Sequence, residues 1–303
     1  MTPSSTTATV GRSAVLAGIG YMLVAVFLFG ATSAVGKWLV AKYPVGEFLL
    51  LRSAATLVLL IPFIWRAGKA AFVNAPRPGM QVLRVVLASI EIPMFFWAVS
   101  QMPLADTQTF YLASPIYVTA LSVLLLREHV GWRRWTAVLI GFTGVVIALR
   151  PSAASLTLPA LIALTGSGIY GLLMIATRSL RDTDSTVLMT TQTLGILLLG
   201  AVAAPFAWVT PDPYDILVFV GVGASSVVSQ FCTVRALKLA DASVVVPYQY
   251  TLIVWAVVFG WQMFGEVPDA WTMTGAALII GAGLYIFWRE QKTHTPSPRP
   301  EAP

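Results

Sequence analysis

Glu91 is the residue in this chain most able to do chemistry where it lies. It falls midway along an apolar run, LASIEIPMFFWAV, where an ionised carboxylate costs at least ~2.5 kcal/mol even on insertion scales. A carboxylate kept there can hold a substrate ammonium group or take up a proton. The competing reading is a structural ion pair, with Arg84 two turns away on the same face or with Arg52 from the preceding run. Arg52 itself could meet a substrate carboxylate, but its planar fork is a good buried partner and the structural role is favoured. Around these charges stands an aromatic and amide set, Trp97, Tyr111, Tyr117, Gln230, Tyr248, Gln249 and Tyr250. Their rings give apolar contact with a hydrogen-bonding tip and can attract a cationic amine. Successive helical residues point about 100° apart, so Tyr248 and Tyr250 cannot both face one cavity and one of them packs. Pro93, Pro115 and Pro247 fall inside three of the runs. Each removes a backbone donor and frees a carbonyl one turn earlier, which suits a kink or a gate.

The elements that must position these side chains are membrane helices. The chain of 303 residues is 57% hydrophobic and only 11% charged, with a mean hydropathy of +0.79, whereas an ordinary soluble domain is roughly 25% charged. About 20 apolar residues cross a bilayer core. By that rule the spans are about ten: 14–36, 45–65, 80–101, 105–126, 132–149, 158–177, 185–208, 214–237, 241–264 and 270–288. Residues 1–13 read as a polar cytoplasmic tail. Residues 289–303, with Pro296, Pro298, Pro300 and Pro303, read as a disordered one. The first run is too long for a signal peptide and is kept as the first helix.

With the N-terminus inside, fifteen of the nineteen Lys and Arg residues fall on inner segments and three, Lys37, Lys42 and Arg150, on outer ones. This bias places both termini in the cytoplasm for an even number of spans. It also accounts for the net charge of +6 without nucleic acid, since no basic patch interleaved with aromatics occurs. Cys232 is alone, so no disulfide framework or cysteine metal cluster is available. His129 and His294 lie in a loop and in the tail, and no phosphate-binding loop occurs. The chain reads as a carrier, not an enzyme, with no cofactor and no ATP drive of its own.

An internal repeat runs through the sequence. Leu104-Ala105-Asp106 recurs as Leu239-Ala240-Asp241, Glu128 follows the fourth span as Glu266 follows the ninth, and Gly144 and Gly281 lie in the helices after them. Each half holds an odd number of spans and so enters the membrane from the opposite side, as in secondary transporters built from inverted repeats. Asp106 and Asp241 are expected to cap helices four and nine, and Glu128 and Glu266 to be structural. Gly141 with Gly144, and Gly275 with Gly281 and Gly283, make small faces for close packing. Trp132, Trp135, Trp208 and Trp271 lie at span ends as interface anchors.

The runs Leu239–Glu266, LADASVVVPYQYTLIVWAVVFGWQMFGE, and Pro103–Glu128, PLADTQTFYLASPIYVTALSVLLLRE, resemble the ninth and fourth helices of the EamA-type branch of the drug/metabolite transporter superfamily. Arg127-Glu128 departs from the usual Gly-Glu. The resemblance covers nearly the whole chain and implies an all-α, ten-helix membrane protein of two inverted five-helix repeats, 14–151 and 152–288. It implies a basket with a central cavity lined by helices 1, 3, 4, 6, 8 and 9, with helices 5 and 10 at the periphery. Within the family the chain looks most like the YddG-like amino-acid exporters of the bacterial inner membrane. The expected partners are therefore a small-molecule substrate and the bilayer, in a monomer, with proton coupling and uniport both open. The alternative is a carrier of riboflavin, a nucleotide-like metabolite or a cationic drug; an intramembrane enzyme and a membrane sensor are the rivals from other classes.

Overall fold

The computed structural model describes residues 6–114, 117, 132–149, 157–180, 182–239 and 246–293. They form ten α-helices in chain order: α1 (Thr6–Val40), α2 (Val45–Val73), α3 (Pro78–Gln101), α4 (Leu104–Tyr111), α5 (Trp132–Leu149), α6 (Leu158–Ser179), α7 (Ser185–Ala203), α8 (Pro213–Leu239), α9 (Leu252–Phe264) and α10 (Ala270–Thr293). Short 3₁₀ segments occupy Ala204–Phe206 and Val246–Thr251. No strand occurs among the described residues. Among the described residues, six segments are long and apolar enough to cross a membrane: Ala14–Val40, Val45–Val73, Pro78–Gln101, Leu158–Thr177, Ser185–Phe206 and Pro213–Ala236. The protein is an all-helical, multi-pass membrane protein.

The helix ends correct four expectations. α1 begins at Thr6, so most of the expected tail 1–13 is the first turns of the helix. α10 runs on to Thr293, so the first residues of the expected disordered tail are helical too. The fourth span is interrupted: α4 ends at Tyr111, Leu112 and Ala113 form a turn, and Ser114 and Tyr117 are helical again; residues 118–131, with Glu128 and His129, lie outside the described residues, as do Pro115 and Asp241. The ninth is not one α-helix either. Val246–Thr251 is wound as 3₁₀ before α9 starts, and Pro247 has no amide hydrogen to give to a carbonyl four residues back. α3 stays helical through Pro93. The break in backbone direction falls instead at Gly68 in α2, whose φ of 74° and ψ of 160° no helix accommodates.

Packing is dominated by pairs drawn from different parts of the chain. α2 lies against α7 and α8, α1 against α8 and α9, and α3 against α6 and α7; α4 touches both α6 and α9. Among the described residues α5 and α10 pack chiefly on each other and join the rest through α4 and the 3₁₀ segment at Val246–Thr251. The α5–α10 contact uses the expected small face. A Cβ on Gly144 would come within 2.8 Å of the Gly275 carbonyl oxygen, whereas one on Gly281 would meet nothing within 4 Å. Trp208 and Trp271, at 49% and 58% exposure, stand out from the bundle near the helix ends and suit anchoring at an interface.

Candidate functional site

α3 buries one stripe, Arg84, Ala88, Glu91, Phe95 and Ala98 with Val99, which is the i, i+3, i+4 face of a helix. That stripe carries its two charges inward, and the structure gives them different partners. Arg84 spends its guanidinium on neutral acceptors of α6 and α7: Nε donates to Thr177 Oγ1 at 3.0 Å, Nη1 to the Leu188 carbonyl at 2.9 Å and Nη2 to Gln192 Oε1 at 2.6 Å. It is not the partner of Glu91. The charge of Arg52, on α2, reaches Glu91, but the two do not close an ion pair. The Arg52 guanidinium carbon lies 5.6 Å from the centre of the Phe96 ring, a cation–π distance.

Glu91 is 6% exposed and sits beside Tyr111 of α4, and its charge also reaches Tyr170 of α6. A continuous series of rings runs through this place. Phe48 and Phe96 lie 4.4 Å apart between centroids, Phe96 and Phe95 5.2 Å, Phe95 and Tyr111 5.0 Å, and Tyr111 and Tyr170 6.2 Å. The Tyr111 hydroxyl is buried beside Glu91 yet closes no hydrogen bond of normal geometry. One turn earlier on α4, Gln108 Nε2 reaches Ser33 Oγ of α1 at 3.5 Å, both residues being buried. Thr32 Oγ1, on the neighbouring residue of α1, is buried without a partner. Buried polar atoms that the protein leaves unmatched are costly, and a bound polar ligand is one thing that can match them.

The remaining expected residues are not gathered here. Trp97 is half-buried on α3, with its carbonyl accepting from Ser100 Oγ at 2.7 Å. Tyr117 and Tyr250 pack in the cluster that joins α5, α6 and α10, and Tyr248 packs separately against α1 and α8 beside Met22 and Val26. The two tyrosines that cannot share a direction are thus divided between two clusters. Gln230 and Gln249 are exposed on the bundle, and Pro247 belongs to the 3₁₀ segment. Of the expected binding set, Glu91 and Tyr111 meet. They are joined by Arg52, for which the sequence favours a purely structural role, and by Tyr170, Gln108 and Ser33, which no motif singles out. Gln108 and Tyr111 stand three apart in Asp106-Thr107-Gln108-Thr109-Phe110-Tyr111; that spacing is the available signal.

Tyr111 is held by a glycine. A Cβ on Gly166 of α6 would lie 2.4 Å from the Tyr111 hydroxyl oxygen, with ring Cζ next at 3.3 Å. Gly166→Ala should therefore destabilise the detergent-solubilised protein by about 1–3 kcal/mol, the usual cost of overpacking. Adding Tyr111→Phe removes the clashing oxygen and should recover most of the loss in a thermal unfolding experiment. No recovery would mean that the hydroxyl does not occupy this notch.

No group of three or more His, Cys, Asp or Glu able to hold a metal occurs among the described residues. The arrangement is instead a binding place: one acid, one base, a run of rings and two unmatched hydroxyls, supplied by the first part of the chain and completed by Tyr170 of α6.

Comparison with known proteins shows the family. The EamA-like transporter family model matches residues 16–150 and again 157–288. An S-adenosylmethionine uptake transporter of Rickettsia bellii is 26% identical over 276 residues, covering 91% of this chain and 94% of that protein. A riboflavin transporter of Vibrio cholerae is 28% identical over 284 residues, covering 92% and 95%. A transporter of Helicobacter pylori, described only as uncharacterized, is 30% identical over 286 residues, covering 91% and 96%. A solved crystal structure superposes with a TM-score of 0.63 over 94% of this chain and 99% of that one at 18% identity, so the two share the fold.

Proposed function

This chain belongs to the EamA-like transporter family, and from that premise we propose that it is a secondary carrier for a ring-bearing, nucleoside-like or flavin-like metabolite with a polar or charged head, bound at Glu91 and Arg52. The single observation that carries this reading is the buried Glu91 beside the Phe96–Phe95–Tyr111–Tyr170 ring series, with Arg52 over the Phe96 ring. A planar ring can stack or edge onto those rings, and the two charges can orient a polar head. S-adenosylmethionine and riboflavin, named for two of the relatives, both join a fused heteroaromatic ring to a polyhydroxylated group, and this favours that class over amino-acid export. Export of aromatic or other neutral amino acids is the second reading; an acid and a base in one region suit an ammonium and a carboxylate.

Alternating access is supplied by two inverted five-helix repeats, 14–151 and 152–288, with helices 1 and 6 equivalent. The packing supports this. Exchanging each helix with the one five places on carries α1–α8 into α6–α3 and returns α2–α7, α4–α9 and α5–α10 to themselves, and all of these pairs are in contact. A binding place between the halves is where such a pair of repeats opens to either side. The chain sits in the bacterial inner membrane as a monomer with both termini cytoplasmic, the arrangement that the Lys and Arg bias favours.

Counterflow in proteoliposomes tests the substrate class. Vesicles preloaded with unlabelled S-adenosylmethionine, riboflavin, a nucleoside, or an aromatic or aliphatic amino acid are given the corresponding labelled compound. Exchange with one of the ring-bearing metabolites and not with amino acids is the expected result. Exchange confined to amino acids would replace the first reading by the second.

A further inference from the structure

At one end of the bundle α1, α3, α7 and α9 finish and α2, α4, α8 and α10 begin, and there charged residues tie the first half of the chain to the second. α4 starts after Pro103, which offers no side-chain cap. Its first amide is capped from the other half: Leu104 N–H donates to Glu266 Oε2 at 2.9 Å. Glu266 Oε1 pairs with Lys37 Nζ of α1, and Lys37 also donates to the Met102 carbonyl at 2.9 Å and lies 5.0 Å from the centre of the Phe264 ring. Glu266 is itself fixed in place. Gly265, at φ +67°, closes α9 with its N–H on the Trp261 carbonyl, and Glu266 N–H returns to the Gly260 carbonyl, both at 3.0 Å, the left-handed C-terminal cap that glycine permits.

A second tie stands beside the first. Tyr43 Oη donates to Asp215 Oδ2 at 2.6 Å, Lys42 approaches the same oxygen at 3.2 Å, Asp212 N–H donates to Tyr43 Oη at 3.3 Å, and Val209 N–H donates to Glu47 Oε2 at 2.9 Å. It joins the α1–α2 link to the α7–α8 link. Both ties thus close the same end, which the Lys and Arg bias makes the outer one.

We propose that Lys37 and Glu266 are the latch of a gate at this end, and that Glu266 is the positioning residue that sets α4, and so Tyr111, against Glu91. The role of Tyr111 and Glu91 in binding rests on the function proposed above; the latch itself does not. α4 runs only two turns from Leu104 to Tyr111, so release of its first residue lets the whole segment tilt and carries Gln108 and Tyr111 with it. A partly exposed ion pair suits a gate. The pair is 11% and 21% exposed; on opening, water takes over both charges, so little net energy separates the closed and open forms. An apolar seal of the same size would expose greasy surface on every cycle.

Thiol accessibility tests the latch without any substrate, so its failure is distinct from failure of the substrate panel. In a Cys232→Ser background, Ser33→Cys places a reporter on α1 one turn below Lys37; Ser33 is 3% exposed. A membrane-impermeant maleimide is applied from the side where α1 ends. Glu266→Gln keeps an acceptor for Leu104 but removes the ion pair, and should speed labelling about tenfold, the population shift expected when a closed state loses roughly 1.4 kcal/mol. Lys37→Gln removes the pair from the other side and should do the same, so the test stands if one variant fails to fold. The thermal unfolding midpoint should move little in a variant that only shifts the gate. Labelling at the parent rate in folded Glu266→Gln or Lys37→Gln would overturn the proposal, as would faster labelling that is matched by an equal rise from the opposite side.

Discussion

Glu91→Gln should reduce counterflow of the accepted substrate by about tenfold or more, from the roughly 1.5–3 kcal/mol of a hydrogen bond to a charged group. Two effects are mixed in that number. The neutral amide can no longer meet a positive group on the substrate, and Arg52 is left inside the bundle without its opposing charge. The double variant Arg52→Gln with Glu91→Gln separates them. Removing both charges relieves the uncompensated guanidinium, and replacing a whole buried pair is close to neutral for stability. Expression and thermal unfolding should therefore return towards the parent in the double variant, while counterflow should stay low. Recovery of counterflow together with stability would make the pair purely structural and would move the binding place elsewhere. Arg84→Gln is the useful contrast. Arg84 binds Thr177, Leu188 and Gln192, so its loss should weaken the α3–α6–α7 contact without giving the Glu91 phenotype.

What is legible in the sequence follows the range of the forces involved. Apolar runs of membrane length are local, and the fifth span, 132–149, has the bounds of α5; the sixth and seventh spans share their first residues with α6 and α7. A carboxylate inside an apolar run is also a local signal, and Glu91 does prove buried. Its partner is not legible. Arg84 and Arg52 are both within plausible reach along the sequence, and the choice falls to three acceptors on α6 and α7 that no periodicity along α3 encodes. Glu266 is the same case in reverse. Its place after the ninth span suggests a local structural job, yet its carboxylate serves Lys37, 229 residues away in sequence, and the first amide of α4. Asp106, expected to cap α4, instead lies in the first turn, where it still suits the positive end of the dipole. The aromatic set divides for a third reason. The 100° step between helical residues says that Tyr248 and Tyr250 part company, but only the neighbours α1, α8 and α10 decide which cluster each joins.

The largest stability effect is expected at a glycine whose importance the seventh run does not advertise. Gly200 of α7 lies so close to α2 that a Cβ there would sit 2.5 Å from the Leu50 amide nitrogen, 2.9 Å from its Cα and 3.0 Å from the Gly46 carbonyl oxygen. All three are backbone atoms, so no rotamer change can make room. Gly46 on α2 mirrors the contact, with a Cβ there 2.7 Å from Ala203 Cβ. The two helices meet at small residues because only these let backbones approach so closely in a membrane. Gly200→Ala must push α2 and α7 apart along a joint that also holds Leu49, Ser53 and Leu60 in the buried face of α2. The expected cost is about 3 kcal/mol, the upper part of the overpacking range, since the strain cannot be shed by a side chain. Gly221 of α8 provides the internal standard, for a Cβ there meets nothing within 4 Å. Gly221→Ala should leave stability unchanged or raise it by about 0.5–1 kcal/mol, because alanine loses less backbone entropy in a helix. The two variants differ by the same methyl group in helices of the same bundle, so opposite signs in one thermal unfolding series would locate the α2–α7 joint by its energetics. Equal, small effects at both positions would mean that α2 and α7 do not approach at Gly200, and that the packing of the two halves has to be redrawn around a different pair.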